Sequence, residues 1–291
     1  MAVVIVDGNW LAYRNFVVTG LKLQAPNGRF TGCAFGFLTT LRKVLVESKA
    51  TVALVAWDSP PYKKNLVAAS YKGARRKARE TSGFDRVAYT EQLKLLKEIL
   101  PLFGVTQLAA DGIEADELLY RMAVEVTNKN VVLLSGDRDV SLALDLGSNV
   151  SMTQNGTSFV TSLEFKQKFD LTPIEFWLCR LFVGDGSDSI EGLRGVGLKT
   201  AKKVATMCNW NLAKIVEEFS KKYDRNAVVA MLLKNIGLMI PTEVDFDEIA
   251  VIKSLKVNDV ERYLFESLEE LGFKSMLKNI YWLEPFRRLG G

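Results

Sequence analysis

Three short apolar runs in this 291-residue chain each lead to an aspartate. Residues 2–6 precede Asp7, and two similar runs later in the chain precede Asp58 and Asp137. Continuous apolar runs of this length are typical of parallel strands that are buried on both faces. Open α/β sheets bind ligands beyond the carboxyl ends of such strands, so we expect the three aspartates at one edge of one sheet.

Six further acids follow helix or loop signals, which gives nine candidates for one site. Carboxylates that converge cannot all stay ionised unless cations neutralise them. Oxygen ligands of this kind suit a hard divalent metal. The nine residues are Asp7, Asp58, Glu114, Asp116, Glu117, Asp137, Asp139, Asp185 and Asp188.

Ordinary structural roles remain open for two of these acids. Asp7 precedes a glycine turn and can be a turn residue, with Asn9 as the cap of the following helix. Asp111 and Glu114 have the spacing of a capping box, which is the structural alternative for Glu114.

The chain has no histidine, which excludes imidazole as a metal ligand or a general base. The usual zinc sites and the Ser-His and Cys-His catalytic pairs are therefore excluded, and magnesium or manganese is favoured. The cysteines Cys33, Cys179 and Cys208 form no C-x-x-C pair and are expected to be buried, reduced and inert. No secretory segment or apolar stretch long enough to span a bilayer is apparent, which favours a soluble protein in a reducing, cytoplasmic compartment.

The stretch from about residue 62 to residue 97 carries many more positive than negative side chains. Aromatic residues are interleaved with the cations, and Gly73 and Gly83 allow the segment to change shape. A solvated surface is one interpretation. The other is a mobile arch over the acidic site that binds a single-stranded polyanion, because basic residues neutralise phosphates and aromatic rings stack on unpaired bases. The cations are Lys63, Lys64, Lys72, Arg75, Arg76, Lys77, Arg79 and Arg86.

A glycine turn, Gly195-Val-Gly197, precedes a predicted helix that carries several lysines. Backbone N–H groups in such a turn, at a helix N-terminus, can bind a phosphate without reading sequence. The alternative is an ordinary turn between two helices. The candidate DNA-binding residues here are Gly195, Gly197, Lys199, Thr200, Lys202 and Lys203.

Local patterns predict several further elements. Helical spacing indicates an amphipathic helix over residues 91–100 and a final surface helix over 257–271. Asn155-Gly156 favours a type I′ hairpin. Thr172-Pro-Ile-Glu175 is a helix start with a cap, proline and capping glutamate. The last ten residues are expected to form a loose tail.

These motifs together resemble the 5′-nuclease superfamily, which comprises flap endonucleases, phage 5′-exonucleases and the 5′-nuclease domain of bacterial DNA polymerase I. The similarity runs over nearly the whole length. The motifs come in the family order: Val6-Asp7-Gly8-Asn9, Ala56-Trp57-Asp58, Tyr71-Lys72-Gly73-x-Arg75, Glu114-Ala-Asp116-Glu117, Gly136-Asp137-x-Asp139, Gly184-Asp185-x-x-Asp188 and Gly195-Val-Gly197-x-Lys199-Thr200-Ala201.

The resemblance implies an α/β fold with a central, mostly parallel sheet flanked by helices, a PIN-like nuclease core. It also implies a helical arch and a mostly helical C-terminal DNA-binding region with a helix-hairpin-helix-type motif. We expect a nuclease core over residues 1–183, with the arch at about 62–97, and a DNA-binding region over 184–291 packed on the core.

The activity implied by the resemblance is 5′-flap endonuclease and 5′–3′ exonuclease action on DNA in replication and repair, leaving a 5′-phosphate and a 3′-hydroxyl. Two divalent ions, Mg²⁺ or Mn²⁺, would carry the hydrolysis. By resemblance, Asp7, Asp58, Glu114, Asp116 and Asp137 hold the deeper ion, whereas Asp139, Asp185, Asp188 and Glu117 hold the outer one. No general base from the protein is needed.

The resemblance also assigns roles to basic residues. Lys72 and Arg75 would stabilise charge on the scissile phosphate, and Tyr71, Arg76, Lys77 and Arg79 would contact DNA. The Gly195–Gly197 turn would grip the duplex and hold a monovalent cation. A monomer acting in a bacterial cell or a phage-infected host is expected, with DNA as partner, an RNA–DNA hybrid as a further substrate, and no membrane.

Two departures and three alternatives remain. Glu117 and Ser189 stand where the family usually has aspartate and asparagine. The alternatives are a metal nuclease that removes RNA primers in the manner of an RNase H, a non-catalytic DNA-binding homologue, and a phosphatase with an aspartate nucleophile. The last requires a second aspartate two residues after Asp7, where Asn9 stands.

Overall fold

The computed structural model of the chain describes residues 1–73, 83–279 and 281–290. The strands are β1 Ala2–Asp7, β2 Val52–Ala56, β3 Thr106–Ala110, β4 Asn130–Leu134, β5 Val150–Thr153 and β6 Ile249–Ile252. The helices are α1 Gly8–Asn15, α2 Gly32–Ser48, α3 Arg86–Ile99, α4 Ala115–Glu125, α5 Ser162–Phe169, α6 Pro173–Val183, α7 Leu198–Met207, α8 Leu212–Ser220, α9 Arg225–Met239, α10 Val257–Glu270, α11 Lys274–Lys278 and α12 Glu284–Arg287.

The strands form one sheet in the order β5-β4-β1-β2-β3-β6. All neighbours are parallel except β6, which pairs antiparallel with β3. Every residue of β1 is buried, as expected for a central strand covered by helices on both faces. The predicted mostly parallel sheet flanked by helices is confirmed.

Two compact units make up the chain. The first, which we call the sheet unit, comprises residues 1–60, 85–161 and 244–291. The second, the helical unit, comprises residues 61–84 and 162–243 and contains α5 to α9. No helix in the described ranges is both long enough and apolar enough to cross a membrane.

The last helices of the chain correct the prediction of a loose tail. The side chain of Phe286 is fully buried and lies edge-on to Phe103, at 5.1 Å between ring centroids. Arg287 pairs with Glu261 and Glu284, and the Gly290 N–H donates to the Thr51 carbonyl at 3.1 Å. Residues 284–290 therefore close the core of the sheet unit.

Two other local predictions are also corrected. Asn155 and Gly156 do not form a two-residue hairpin between strands, because a single antiparallel bridge joins Met152 and Val160. The Thr153 hydroxyl instead accepts the Gly156 N–H at 2.9 Å, which closes a longer loop. Helix α3 begins at Arg86 rather than near residue 91, because the Asp85 side chain caps it by accepting the Ala88 N–H.

The other local predictions are confirmed. Thr172 caps α6 with Glu175 in a capping box. All three cysteines are free and buried, and burial raises the pKa of Cys33 and of Cys179 to about 12. Cys33 and Cys179 therefore stay protonated and unreactive.

Candidate metal centre and nucleic-acid interface

The ends of the three central strands place Asp7, Asp58 and Asp137 at one edge of the sheet. Strands β4, β1 and β2 are adjacent and parallel, and Asp7 stands in register with Ala56. The Ser135 hydroxyl donates to Asp7 Oδ2 at 3.1 Å and accepts the Asp137 N–H at 3.0 Å. The sheet therefore brings the strand-end acids together at one edge, as the sequence predicts.

Asp7 is the most perturbed carboxyl at this edge. The pKa of Asp7 is raised to about 7, mainly by burial and also by the negative charges of Asp58 and Asp137. Hydrogen bonds from Trp10 and Ser135 oppose this rise. Only 6% of the residue is exposed. A positive charge at this edge would offset both the burial and the repulsion.

Asp7, not Asn9, caps helix α1. Asp7 Oδ1 accepts the Trp10 N–H at 2.9 Å. The Asn9 side chain instead reaches the neighbouring strand end, where its Oδ1 accepts the Asp58 N–H at 2.9 Å. Sequence reasoning missed this role of Asn9 because the contact joins residues 49 positions apart.

The N-terminus of helix α4 brings the second group of acids together. Asp58 Oδ1 accepts the Ala115 N–H at 2.9 Å, so the strand-end acid holds the first turn of this helix. One oxygen from each of Glu114, Asp116 and Glu117 lies within 4.8 Å of the others, and such a group could hold a metal ion.

The capping box at this helix differs from the predicted one. Its partners are Glu114 and Glu117, and Glu117 Oε2 accepts the Glu114 N–H at 3.0 Å. Asp111 lies outside it and accepts a hydrogen bond from the Ser59 hydroxyl at 3.3 Å. Glu117, where the family pattern has aspartate, thus uses its longer side chain to reach back over the turn.

Trp57 fixes the chain just before Asp58. Its ring is buried and its Nε1 donates to Gln107 Oε1 at 2.9 Å. The ammonium group of Lys97 lies 4.6 Å from the ring centroid. Burial lowers the pKa of Lys97, and the charge of Asp58 opposes that shift. A Cβ at Gly8 would lie 2.6 Å from the ring, so only glycine fits there.

Asp139 lies in the first turn of the 3₁₀ segment Arg138–Leu146, where its N–H donates to Asp137 Oδ1 at 3.0 Å. Within the sheet unit, seven of the nine predicted acids therefore lie on four neighbouring chain segments, joined by short hydrogen bonds through the backbone, Asn9 and Ser135. Their roles as metal ligands stay predictions.

The other two predicted acids belong to a loop of the helical unit that follows α6. Ser187 donates to Asp185 Oδ1 through its N–H at 2.8 Å and through its hydroxyl at 2.6 Å. The guanidinium group of Arg180, itself 9% exposed, binds the other oxygen of Asp185. The sequence analysis did not identify Arg180, because the apolar residues of α6 indicated only a core helix. The position of an arginine five residues before Asp185 was the one signal that could have identified it.

Lys72 adjoins this acid loop. The Lys72 N–H donates to the Asp188 carbonyl at 3.0 Å, and Lys72 has a φ of 55°. Its ammonium group lies 5.2 Å from the Tyr62 ring and 5.4 Å from the Tyr71 ring. Tyr71 is only 4% exposed, so in this conformation its ring supports Lys72 instead of presenting a free face to a base.

Part of the predicted arch lies outside the described residues. Arg75, Arg76, Lys77 and Arg79 all fall between residues 73 and 83. Residues 86–97 are in helix α3, whose Leu96 is fully buried. The arch and its bounds stay a prediction.

The glycine turn of the helical unit has the predicted form. Gly195 has a φ of +78°, and Gly197 precedes the first residue of α7. Both glycines are exposed, and nothing lies within 4 Å of a Cβ built on either. Lys199, Thr200 and Lys203 are exposed, whereas Lys202 pairs with Asp170. The turn thus offers backbone N–H groups and two solvent-facing cations.

The donor set fits a divalent metal. Every candidate ligand is a carboxylate, which is the ligand that hard cations prefer. The raised pKa of Asp7 reflects its burial first, and then the negative charges of Asp58 and Asp137 beside it. Glu114, Asp116 and Glu117 supply oxygens close enough together to share one ion.

Residues 2–170 match the model of a protein family described as "5′–3′ exonuclease, N-terminal resolvase-like domain". A curated relative, the thermostable DNA polymerase I of Thermus filiformis, is 31% identical over 99% of this chain and 34% of its own length. The chain thus spans about a third of such relatives.

Solved structures share the fold. One is the flap endonuclease D15 of bacteriophage T5 in a pseudo-enzyme-product complex with DNA and metal ions. The alignment covers 98% of this chain and 98% of that one, with a TM-score of 0.64 and 17% identity. The catalytic core of Rad2 in complex with DNA substrate covers 98% of this chain and 91% of its own, with a TM-score of 0.58 and 16% identity.

Proposed function

The chain belongs to the 5′–3′ exonuclease family, and from this premise we propose that it is a structure-specific 5′ nuclease. It hydrolyses DNA phosphodiesters at 5′ flaps and free 5′ ends and leaves a 5′-phosphate and a 3′-hydroxyl. The observation that carries the proposal is the acidic edge of the sheet, where Asp7, Asp58 and Asp137 end adjacent strands and Asp58 holds the acidic first turn of α4. Flap endonuclease and DNA-complex structures with the same fold support it.

The acids would hold two divalent ions, Mg²⁺ with Mn²⁺ as a substitute. Bound ions of this kind supply a hydroxide from water and stabilise the leaving 3′ oxygen. The sheet-edge acids provide the oxygens, and their hydrogen bonds to Asn9, Ser135 and the backbone N–H groups hold those oxygens in place. The assignment of each carboxylate to one ion or the other stays a prediction.

The basic residues bind and orient the DNA. Lys72, anchored by its N–H on the Asp188 carbonyl, stabilises negative charge on the scissile phosphate as an electrostatic catalyst, with Arg75 as its partner. Tyr71 steers the Lys72 ammonium group. Backbone N–H groups at the start of α7 and the exposed lysines Lys199 and Lys203 bind the phosphate backbone, which positions the duplex without reading its sequence.

The proposal also covers the roles of the two parts of the chain and the setting in which the protein acts. The Gly195–Gly197 turn holds a monovalent cation. Residues 184–291 contribute most of the DNA contacts, and residues 1–183 carry the chemistry together with Asp185 and Asp188. The protein acts as a monomer in the cytoplasm, in replication and repair, on DNA and on RNA–DNA hybrids. Polymerase I relatives of which the chain covers about a third support a role in DNA synthesis pathways.

The decisive experiment is cleavage of a duplex with a labelled 5′ single-stranded flap, in Mg²⁺ and in chelator. We expect incision near the flap junction only with the metal. A substrate of the same sequence with an RNA flap strand is the matched control, and preferential cleavage of RNA would move the assignment to primer removal. Binding without incision in either Mg²⁺ or Mn²⁺ would contradict nuclease activity and favour a non-catalytic DNA-binding protein.

A further inference from the structure

Asn235 is the one fully polar side chain of helix α9 that the described structure buries completely. Its Nδ2 donates to two backbone carbonyls at 2.8 Å, those of Leu181 and Glu191. Because both partners are acceptors, the amide group can lie only one way round. Its Oδ1 is buried with no hydrogen-bond partner among the described residues. The hydrogen bonds of this buried amide are therefore the two that its Nδ2 donates.

The two carbonyls belong to chain segments that run side by side. Leu181 is in the last turn of α6, and Glu191 lies just after the acid loop of residues 184–190. The Leu193 N–H donates to the Phe182 carbonyl at 2.8 Å. Asp185 and Ile190 exchange two backbone hydrogen bonds at 2.8 Å across the base of the loop.

Glycines keep these segments at contact distance. A Cβ at Gly192 would lie 2.1 Å from the Val183 carbonyl oxygen, and a Cβ at Gly184 would lie 2.5 Å from that of Ile190. The chain continues from Gly192 for three residues to Gly195. At that end the Tyr223 hydroxyl donates to the Arg194 carbonyl at 2.8 Å. The chain segment between the acid loop and the glycine turn is thus held at one end by Asn235 of α9 and at the other by Tyr223, which lies between α8 and α9.

We propose that Asn235 is a positioning residue that fixes the acid loop of Asp185 and Asp188 relative to the Gly195–Gly197 turn. It rests on the proposed function, because it links the residues assigned to chemistry with those assigned to backbone binding. The Asn235 side chain joins α6 to the segment that follows the acid loop. It thereby sets the distance between the acids of the loop and a phosphate bound at the glycine turn. Loss of the tie therefore weakens binding and turnover together.

The test uses Asn235→Leu, which keeps the side-chain size and removes both donors. Leu238→Ala is the matched control, because Leu238 is 1% exposed on the same helix and its truncation destabilises α9 while leaving the Asn235 amide in place. Amide hydrogen exchange is measured on both proteins at a temperature where each is folded. We expect faster exchange at Asp185, Ile190 and Leu193 in Asn235→Leu only.

Kinetics on the flap substrate give the second measurement. By analogy with residues that support metal ligands, we expect Asn235→Leu to lower kcat about 10-fold and to raise the Mg²⁺ concentration for half-maximal rate. The dissociation constant for flap DNA, measured in Ca²⁺, should rise in the same variant, while the control stays close to the native protein in all three quantities.

The proposal would be overturned if Asn235→Leu and Leu238→Ala showed the same exchange rates in the acid loop. It would also be overturned if the two variants changed the kinetic constants equally. If Asn235→Leu does not fold, Asn235→Ala removes the same donors without adding bulk and is judged by the same criteria. If the native protein does not cleave, the exchange and binding measurements still decide the role of Asn235, so its failure and that of the proposed nuclease are distinguishable.

Discussion

The sheet unit and the helical unit have opposite charge. The sheet unit carries 19 Lys and Arg residues against 23 Asp and Glu, whereas the helical unit carries 19 against 11. The overall charge of +4 conceals this difference. Seven acids of the sheet unit lie at strand ends and at one helix N-terminus, and three of these, Asp7, Glu114 and Glu117, are buried. Among the described residues of the helical unit, Lys199, Lys203 and Lys214 are exposed cations.

This contrast separates two kinds of chemistry. Fixed, convergent carboxylates suit cation binding, which needs several oxygens at one point. Dispersed cations and exposed N–H groups suit a polyanion, which needs many weak contacts along its length. Asp185, Asp188 and Arg180 are the exception, since they give the otherwise basic helical unit an acidic loop with its own guanidinium partner.

The largest effect should come from the acids. We expect Asp7→Asn in the sheet unit, and Asp185→Asn with Asp188→Asn in the helical unit, each to lower kcat by roughly 10³-fold or more, because each removes oxygens that stabilise charge in the transition state. Flap binding, measured by fluorescence anisotropy, should remain within a few-fold of the native value.

Asp224→Asn is the control for these variants. It makes the same chemical change in the helical unit, and asparagine caps a helix as well as aspartate does. Near-native turnover in either acid variant would contradict the contrast between an acidic catalytic edge and a basic binding surface.

A smaller effect is expected at Lys72. Lys72→Ala should lower kcat by roughly 10²-fold with little change in KM, because it removes a charge that acts on the scissile phosphate. Lys72→Arg keeps the charge and should recover part of the rate, and Lys214→Ala, an exposed lysine of α8, should have no effect. A loss confined to KM would assign Lys72 to binding and place it with the other cations of the helical unit.

The smallest effect should appear at helix α7. Lys199→Ala and Lys203→Ala should each reduce the slope of log binding constant against log salt concentration by about 0.9 in magnitude, while kcat at saturation stays unchanged. Lys202→Ala should reduce it less, because Lys202 is already paired with Asp170. Equal slopes for all three would show that this pair is broken when DNA binds; unchanged slopes for all would remove α7 from the interface.

Much of this arrangement was predictable from local patterns in the sequence. Apolar runs followed by Asp7, Asp58 and Asp137 predict parallel strands and an acidic edge, because alternation of buried strands and helices permits few other topologies. The cap at Thr172 and the turn at Gly195–Gly197 were also predictable, since capping and turn geometry depend on residues within four positions of each other.

Tertiary structure alone decided how the acids are held. Asn9 supports Asp58 rather than α1, Ser135 bridges Asp7 and Asp137, and the buried Phe286 converts an expected tail into core. Each of these contacts joins segments far apart in the chain or depends on which strands are neighbours. Local sequence signals report propensity and periodicity, but a side chain that satisfies a distant N–H or fills a distant gap is determined only when the whole chain has packed.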